Sequence, residues 1–479
     1  VNAFRAANSL ATRVGSTWDE SIVPVLTDYI RIPALSPAFD PDWASHGFIG
    51  EALTLLRTWA EAQDIENARL EVVSLPGRTP VLLLEIPPPG ETVSDPEADT
   101  VLLYGHLDKQ PEMTGWREGL GPWTPVRDGD RLYGRGGADD GYSLFASLCA
   151  IQALRSEGGR HARCVVLIEA SEESGSPDLP AYVELLAPRL GRVSLVVCLD
   201  SGCADYDRLW LTTSLRGLTG GVLTVRTTTE GLHSGGYGGV LPSTFRIARH
   251  LLDRIEDPVT GRVLLPEAWV GIPAERARQA EDTSAILGDP LDELPLVAGV
   301  RARDGRHNST ILLDRTWRPT LEVIGADGLP SVQAGGNVLR PFTSLSLSMR
   351  LPPTADPEAA RHALARRLTE DPPYGADVRF DPREAAPGWN APETADWLAA
   401  AVREASAAHF GNPAAAMGEG GTIPFMGMLG KRFPTAQFMI VGVLGPGSNA
   451  HGPNEFLHVP TGKRLTACVA DVLAAHASR

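Results

Sequence analysis

The sequence predicts an α/β protein: a largely parallel sheet sandwiched by helices, in a large domain interrupted by an inserted α+β domain. Three observations predict it. Short, fully apolar runs alternate with helix-length stretches through the first part of the chain. Near residue 214 the texture changes to Thr- and Val-rich alternation, as in half-exposed strands. From about Ala391 the first style returns. At 479 residues, two domains are also the default expectation.

The elements follow in order. Trp18 to Ile32 carries apolar residues at helical spacing and stops before Pro33; a second helix is expected from Gly47 to about Ala62. Strands are expected at Leu70–Leu75, Val81–Ile86, Val101–Gly105, Cys164–Glu169 and Ser194–Leu199, with helices from Gly141 to Arg155 and near Leu179–Leu186. In the insert, strands are expected at Leu218–Thr229, Trp317–Gly325 and Thr343–Leu351. Helices are expected around Thr244–Ile255, Glu275–Leu287 and Pro357–Glu370. The last part reads as helix Ala391–Phe410, strand Ala436–Leu444, a loop around His451 and helix Gly462–Ala475. The domain spans are therefore 1–213 and 385–479 for the discontinuous domain and 214–384 for the insert.

A formal charge of −16 argues against nucleic acid or an anionic membrane surface as partner. The five cysteines are odd in number and mostly in apolar surroundings, which reads as reduced thiols in a cytoplasmic protein. Cys203, three residues after Asp200, has no CxxC companion and is not expected to be a ligand. The N-terminus has no basic start followed by an apolar core, and no apolar run approaches the roughly 18–20 residues of a membrane span.

The chemistry is concentrated in a few short stretches. His106 closes the apolar run Val101–Gly105; Asp139-Asp140 follow the turn Gly134-Arg135-Gly136-Gly137; Glu172-Glu173 and Asp200 follow strands; His451 sits in a Gly/Asn/Pro loop. Active sites of open α/β sheets gather at the carboxyl ends of strands, so these segments are expected to converge. Two imidazoles and several carboxylates suit a pair of divalent ions, most naturally zinc, with Asp139 as the bridging carboxylate. One of the adjacent glutamates would bind metal while the other moves protons. His106 and Asp108 are two apart, so Asp108 is expected to orient the imidazole. Taken singly, each of these residues reads as surface or turn; the case rests on their order and shared placement.

The chain resembles the M20 family of metallopeptidases, in its dipeptidase branch that includes carnosinases. The resemblance rests on Tyr104-Gly105-His106-Leu107-Asp108, Tyr133 to Asp140, Glu172-Glu173-Ser174-Gly175-Ser176, Leu232-His233-Ser234-Gly235-Gly236-Tyr237-Gly238-Gly239, Glu419-Gly420-Gly421-Thr422-Ile423-Pro424 and the His451 loop. It implies His106 and Asp200 on one zinc, Glu173 and His451 on the other, and Asp139 between them, with a cis peptide after Asp139. It implies a metal-bridging water activated by Glu172, and manganese or cobalt as alternatives to zinc. It implies that the insert is a lid that makes a homodimer, with His233 donating to the oxyanion in the neighbouring subunit's site. Arg350, Asn337, Gly420, Gly421 and Thr422 would receive the substrate, Arg350 gripping its free carboxylate. The implied substrates are dipeptides or short peptides with a free C-terminal carboxylate; the alternative is an N-acyl- or N-carbamoyl-amino-acid amidohydrolase of the same fold. The chain departs from the family where Gly141-Tyr142 replaces Lys-Gly, and where Gly418 stands in place of arginine.

Overall fold

The computed structural model describes residues 2–479 except 93, 94, 96, 292–295, 304–307 and 384. Residue 384, the expected end of the insert, therefore lies outside the described residues. The chain divides into two compact units. One is Val1–Thr212, Ala391–Ala416 and Met428–Arg479; the other is Thr213–Asn390 and Met417–Gly427.

The first unit is built on a six-stranded sheet. Its strands in chain order are β1 (Arg69–Val73), β2 (Val81–Ile86), β3 (Asp99–His106), β4 (Arg163–Glu169), β5 (Arg192–Cys198) and β6 (Gln437–Ile440). In space they run β1-β2-β4-β3-β5-β6. The last four are mutually parallel; at one edge β2 runs against them, and β1 pairs antiparallel with β2. Parallel strands need helices on both faces, which explains why β3, β4 and β5 are almost wholly apolar and buried. Helix Ser143–Ser156 is buried nearly all round, as a central helix must be. The C-terminal helix Val459–Ser478 belongs to the same core. Trp18 is locked against it: its indole nitrogen donates to Thr466 Oγ1 at 3.0 Å, and a Cβ at Gly462 would lie 2.4 Å from its ring.

The second unit has a four-stranded antiparallel sheet, ordered Thr320–Asp327, Phe342–Leu351, Gly217–Arg226, Asp377–Pro382. Leu345, Leu347, Met349 and Leu351 alternate inward and share a core with Ile247, Leu251 and Leu364 of helices Thr244–Leu252 and Pro357–Thr369.

Several elements differ from expectation; among them, the strand expected at Ala436–Leu444 spans only Gln437–Ile440, and Trp210–Leu215 is a further strand. Helix begins well before Trp18, at Asn2, and passes through a π-helical stretch, Trp18–Ile22, into Val23–Ile30. The strand expected from Trp317 starts at Thr320, because Trp317 ends helix Ser309–Trp317 and is buried there. Among the described residues no helix is long and apolar enough to cross a membrane.

Candidate metal centre

Because β3, β4 and β5 run in the same direction, their carboxyl ends share one edge of the sheet. His106 is the last residue of β3; Glu172 and Glu173 form a short 3-10 turn just past β4; Asp200 follows β5 by two residues. Asp139 arrives on the glycine turn, where Gly134 and Gly136 take φ of 141° and 79°, values that side chains resist. The Asp139–Asp140 peptide is cis. His451 lies on the loop after β6, itself at φ 63°.

These side chains form two groups. His106, Asp139 and Asp200 bring one ligand atom each within 4.8 Å of one another, and so do Asp139, Glu173 and His451. Asp139 is common to both. Its Oδ1 lies 3.4 Å from His106 Nε2 and its Oδ2 3.0 Å from His451 Nε2. Asp200 Oδ2 is 3.7 Å from His106 Nε2, and Glu173 Oε2 is 3.3 Å from His451 Nε2.

The donor set fits a pair of cations. His106 Nε2 is buried and has no hydrogen-bond partner among the described residues. Its Nδ1 instead lies 3.1 Å from the carbonyl of Asp108. That bond fixes Nδ1 as a donor and leaves Nε2 facing Asp139 and Asp200. Burial disfavours the imidazolium, but Asp200, Asp108 and Asp139 outweigh it and raise the His106 pKa, so a positive charge, proton or metal, is favoured at Nε2. Two imidazoles and three carboxylates drawn this close together are a donor set that a pair of divalent ions can replace protons on.

The electrostatics agree. Burial, followed by the Asp200 charge, pushes the Glu172 carboxyl well above the usual range; burial and Asp139 do the same to Glu173. Burial raises Asp200 to about 6 despite the attraction of His106. Burial also works against the Asp139 anion, but His106 and His451 outweigh it and hold that carboxyl down. Without cations, this much buried negative charge can be carried only by taking up protons.

Residues 102–475 match the model of the family described as Peptidase family M20/M25/M40. The chain belongs to this peptidase family. Over 383 residues it is 30% identical to the cysteinylglycine-S-conjugate dipeptidase of Corynebacterium striatum, covering 75% of this chain and 77% of that one. Its fold is similar to that of the di-peptidase Dug1p from Saccharomyces cerevisiae, with a TM-score of 0.77 and 22% identity over 99% of each chain. It is also similar to human carnosine dipeptidase 1, with a TM-score of 0.74 and 22% identity over 99% of this chain and 100% of that one.

Within this M20 chain, Asp108 does something the two-residue spacing does not suggest. Its carboxylate stands 3.6 Å from His106 Nδ1, too far for a hydrogen bond. Its two oxygens instead accept the N–H groups of Glu172 and Glu173, at 3.1 and 3.0 Å. Asp108 thus orients His106 through its backbone carbonyl and holds the glutamate turn through its side chain.

Several residues of the surroundings have contacts for which the sequence assigns no role. Gln110 donates to Glu173 Oε2 at 2.6 Å. Glu169, at the end of β4, is buried and accepts from Tyr104, Ser176 and Ser171 at 2.6, 2.8 and 3.1 Å. Arg135 pairs with Glu455, which also accepts the N–H of Gly136 at 2.8 Å and so ties the Asp139 turn to the His451 loop. A charged residue inside an apolar strand was the available signal for Glu169; the Arg135–Glu455 pairing, 320 residues apart, left none. Cys203 is buried beside Tyr206 and Gly445, outside both groups.

In the second unit, Arg350 is the next-to-last residue of strand Phe342–Leu351 and donates to Thr422 Oγ1 at 2.9 Å. Thr422 in turn donates to the carbonyl of Arg216 at 2.6 Å, and the carbonyls of Gly420 and Gly421 accept from the Arg216 side chain and main chain. His233 is exposed, and its Nδ1 accepts the N–H of Gly235 at 3.1 Å. Asn337 pairs with Ser234 through its carbonyl at 2.9 Å.

Proposed function

We propose that this M20 peptidase is a di-zinc dipeptidase, cleaving dipeptides or short peptides that carry a free C-terminal carboxylate. The observation that carries the reading is Asp139, shared between two complete groups of ligand atoms. Soft thiolates are absent from both groups, so imidazole and carboxylate ligands favour zinc, with manganese or cobalt as substitutes. When bound, the two ions would lower the pKa of water and polarise the scissile carbonyl.

The chain's own residues supply the rest. Glu172 is the proton carrier: it takes a proton from the attacking water and returns it to the leaving amine. Asp108 fixes the Glu172 main chain and so aims the carboxylate. His233, with Nδ1 occupied as an acceptor, carries its proton on Nε2 and can donate that N–H to the developing oxyanion. In this reading it does so in a second copy of the chain. The strand Thr320–Asp327, at a sheet edge with Val323 and Ile324 exposed, supports a homodimer through this unit. Arg350 grips the substrate carboxylate with its planar fork, braced by Thr422, with Gly420 and Gly421 completing that pocket, and Asn337 adds a further polar contact from the insert. Five free, buried cysteines support a cytoplasmic setting.

The test is hydrolysis of free dipeptides against N-acyl amino acids sharing the same C-terminal residue, with zinc or manganese and with chelator. Chelator-sensitive cleavage of the free dipeptides is expected. Preference for the N-acyl compounds would make the enzyme an amidohydrolase of the same fold.

A further inference from the structure

The end of helix Val23–Ile30 lies outside the residues matched to the family, 102–475, yet this part of the chain touches three ligand-bearing segments. Tyr29 Oη donates to the carbonyl of Leu107, next to His106, at 2.8 Å. The Tyr29 ring fills the space a side chain at Gly141 would need, since a Cβ there would lie 2.2 Å from it. Cβ atoms at Gly134 and Gly137 would lie 2.3 and 2.9 Å from Ile30. Ser36 and the N–H of Ala38 both reach Ser174 Oγ, beside Glu173, at 2.5 and 2.8 Å.

Lys109 joins these contacts. It is fully buried, and its Nζ donates to the carbonyls of Tyr29, Ile30 and Ile32 at 2.8, 3.4 and 2.8 Å. An ammonium has three N–H groups and meets three acceptors here; a neutral amine would turn a lone pair on one of them. These carbonyls close a helix, where the last C=O groups lack partners and the dipole favours a cation. Burial draws the Lys109 pKa well below the usual lysine value; the carbonyls act against that loss of charge. Nζ also lies 4.0 Å from the centre of the Tyr29 ring. The aliphatic stem crosses Gly136 so closely that a Cβ there would fall 2.7 Å from Lys109 Cγ. The main chain of Lys109 is bonded as well: its N–H to Ala34 at 2.9 Å and its carbonyl from Ser36 at 3.0 Å.

We propose that Lys109 is a positioning residue for the metal-binding side chains: seated on the end of helix Val23–Ile30, it sets the His106 strand end against the glycine turn that carries Asp139. The ammonium and the stem act on different partners. The ammonium is fixed by the helix carbonyls, and the stem presses on the turn. Gly141, where the family pattern has lysine, is the position from which Tyr29 would be displaced by any side chain. Tyr29, Lys109 and Gly141 therefore form one interlocked arrangement in this chain.

The inference rests on the two-ion reading of the site, and the experiment separates the two. Zinc binding by calorimetry and the visible absorption of the cobalt-substituted protein are measured for the parent, Lys109→Met and Lys109→Arg. The expected result is two ions in the parent, binding weakened about tenfold or more in Lys109→Met with altered cobalt bands, and partial recovery in Lys109→Arg. A Lys109→Met protein that melts earlier but keeps parental zinc affinity and cobalt bands overturns the inference, because Lys109 would then serve stability alone. A parent that binds fewer than two ions overturns the two-ion reading, and this inference with it. If Lys109→Met does not fold, Tyr29→Phe decides: it keeps the ring and loses only the bond to Leu107. Weaker zinc binding with shifted cobalt bands supports the proposal, and parental values for both overturn it.

Discussion

Glu169 shows how burial tunes the carboxyl end of the sheet, and one isosteric change measures it. The carboxylate is buried beneath the glutamate turn and accepts three hydroxyl groups. Burial, reinforced by the charge of Asp108, pushes its carboxyl from 4.5 up to about 7; Tyr104 and Ser176 oppose this only in part. The folded state therefore holds the proton more tightly than the unfolded chain does. That contribution is complete below the unfolded value near 4.5 and is lost as pH rises through the folded value near 7. At about 1.4 kcal/mol per pKa unit, the interval is worth about 3 kcal/mol, most of it lost between pH 5 and 8. Glu169→Gln keeps an oxygen for Tyr104 and Ser176, presents an N–H to the Ser171 hydroxyl, and cannot titrate. Urea unfolding of chelated, metal-free protein between pH 5 and 8 should show a stability loss in the parent that Glu169→Gln lacks, by about 2–3 kcal/mol. Identical pH dependence in the two proteins would refute the reasoning, because Glu169 would then be ionised in the fold throughout.

Four further outcomes are expected. Glu172→Gln should lower turnover by about 10²–10⁴-fold while calorimetry still counts the parental number of zinc ions. Arg350→Lys should raise KM for free dipeptides with little change in kcat, by about tenfold or more, as the forked contact to the carboxylate is lost. Gly105→Ala places a Cβ 2.0 Å from Ser143 Oγ and 2.7 Å from Asp140 Oδ2, and should cost about 1–3 kcal/mol in urea unfolding. Ser143→Gly should restore part of that loss. Arg135→Met leaves Glu455 buried without its cation and should cost about 3–5 kcal/mol, with Glu455→Gln in the same chain recovering stability.

The sequence is most readable where a physical rule fixes position. An apolar run buried on both faces of a sheet must end at the sheet's edge, so the ends of β3, β4 and β5 place His106, Glu172, Glu173 and Asp200 along one edge before any coordinate is known. The glycine turn before Asp139 is readable for the same kind of reason, since its positive φ values need residues without a Cβ. What the sequence conceals are contacts between segments distant in the chain. Arg135 and Glu455 are far apart in sequence, and no local pattern links them. The helix before Trp18 gives little periodic signal, because its apolar positions, such as Leu10 and Val14, are sparse among small and polar residues.

Asp108 marks the boundary between these two cases. A two-residue spacing aligns side chains only while the strand continues, and β3 stops at His106. Past that point the backbone turns, so the Asp108 carbonyl meets the imidazole while the carboxylate swings to the Glu172 and Glu173 amides. Its charge sits at the start of the short turn that carries both glutamates, where unpaired N–H groups favour an anion. One residue thereby sets the tautomer of a ligand in one group and the backbone of a ligand in the other. His106 and Glu173 are both held to residue 108, the first by its main chain and the second by its side chain. Lys109, the next residue, anchors the same loop to the helix behind it. The separation of the two ligand groups is therefore a property of this short loop, and changes to it should disturb both groups together.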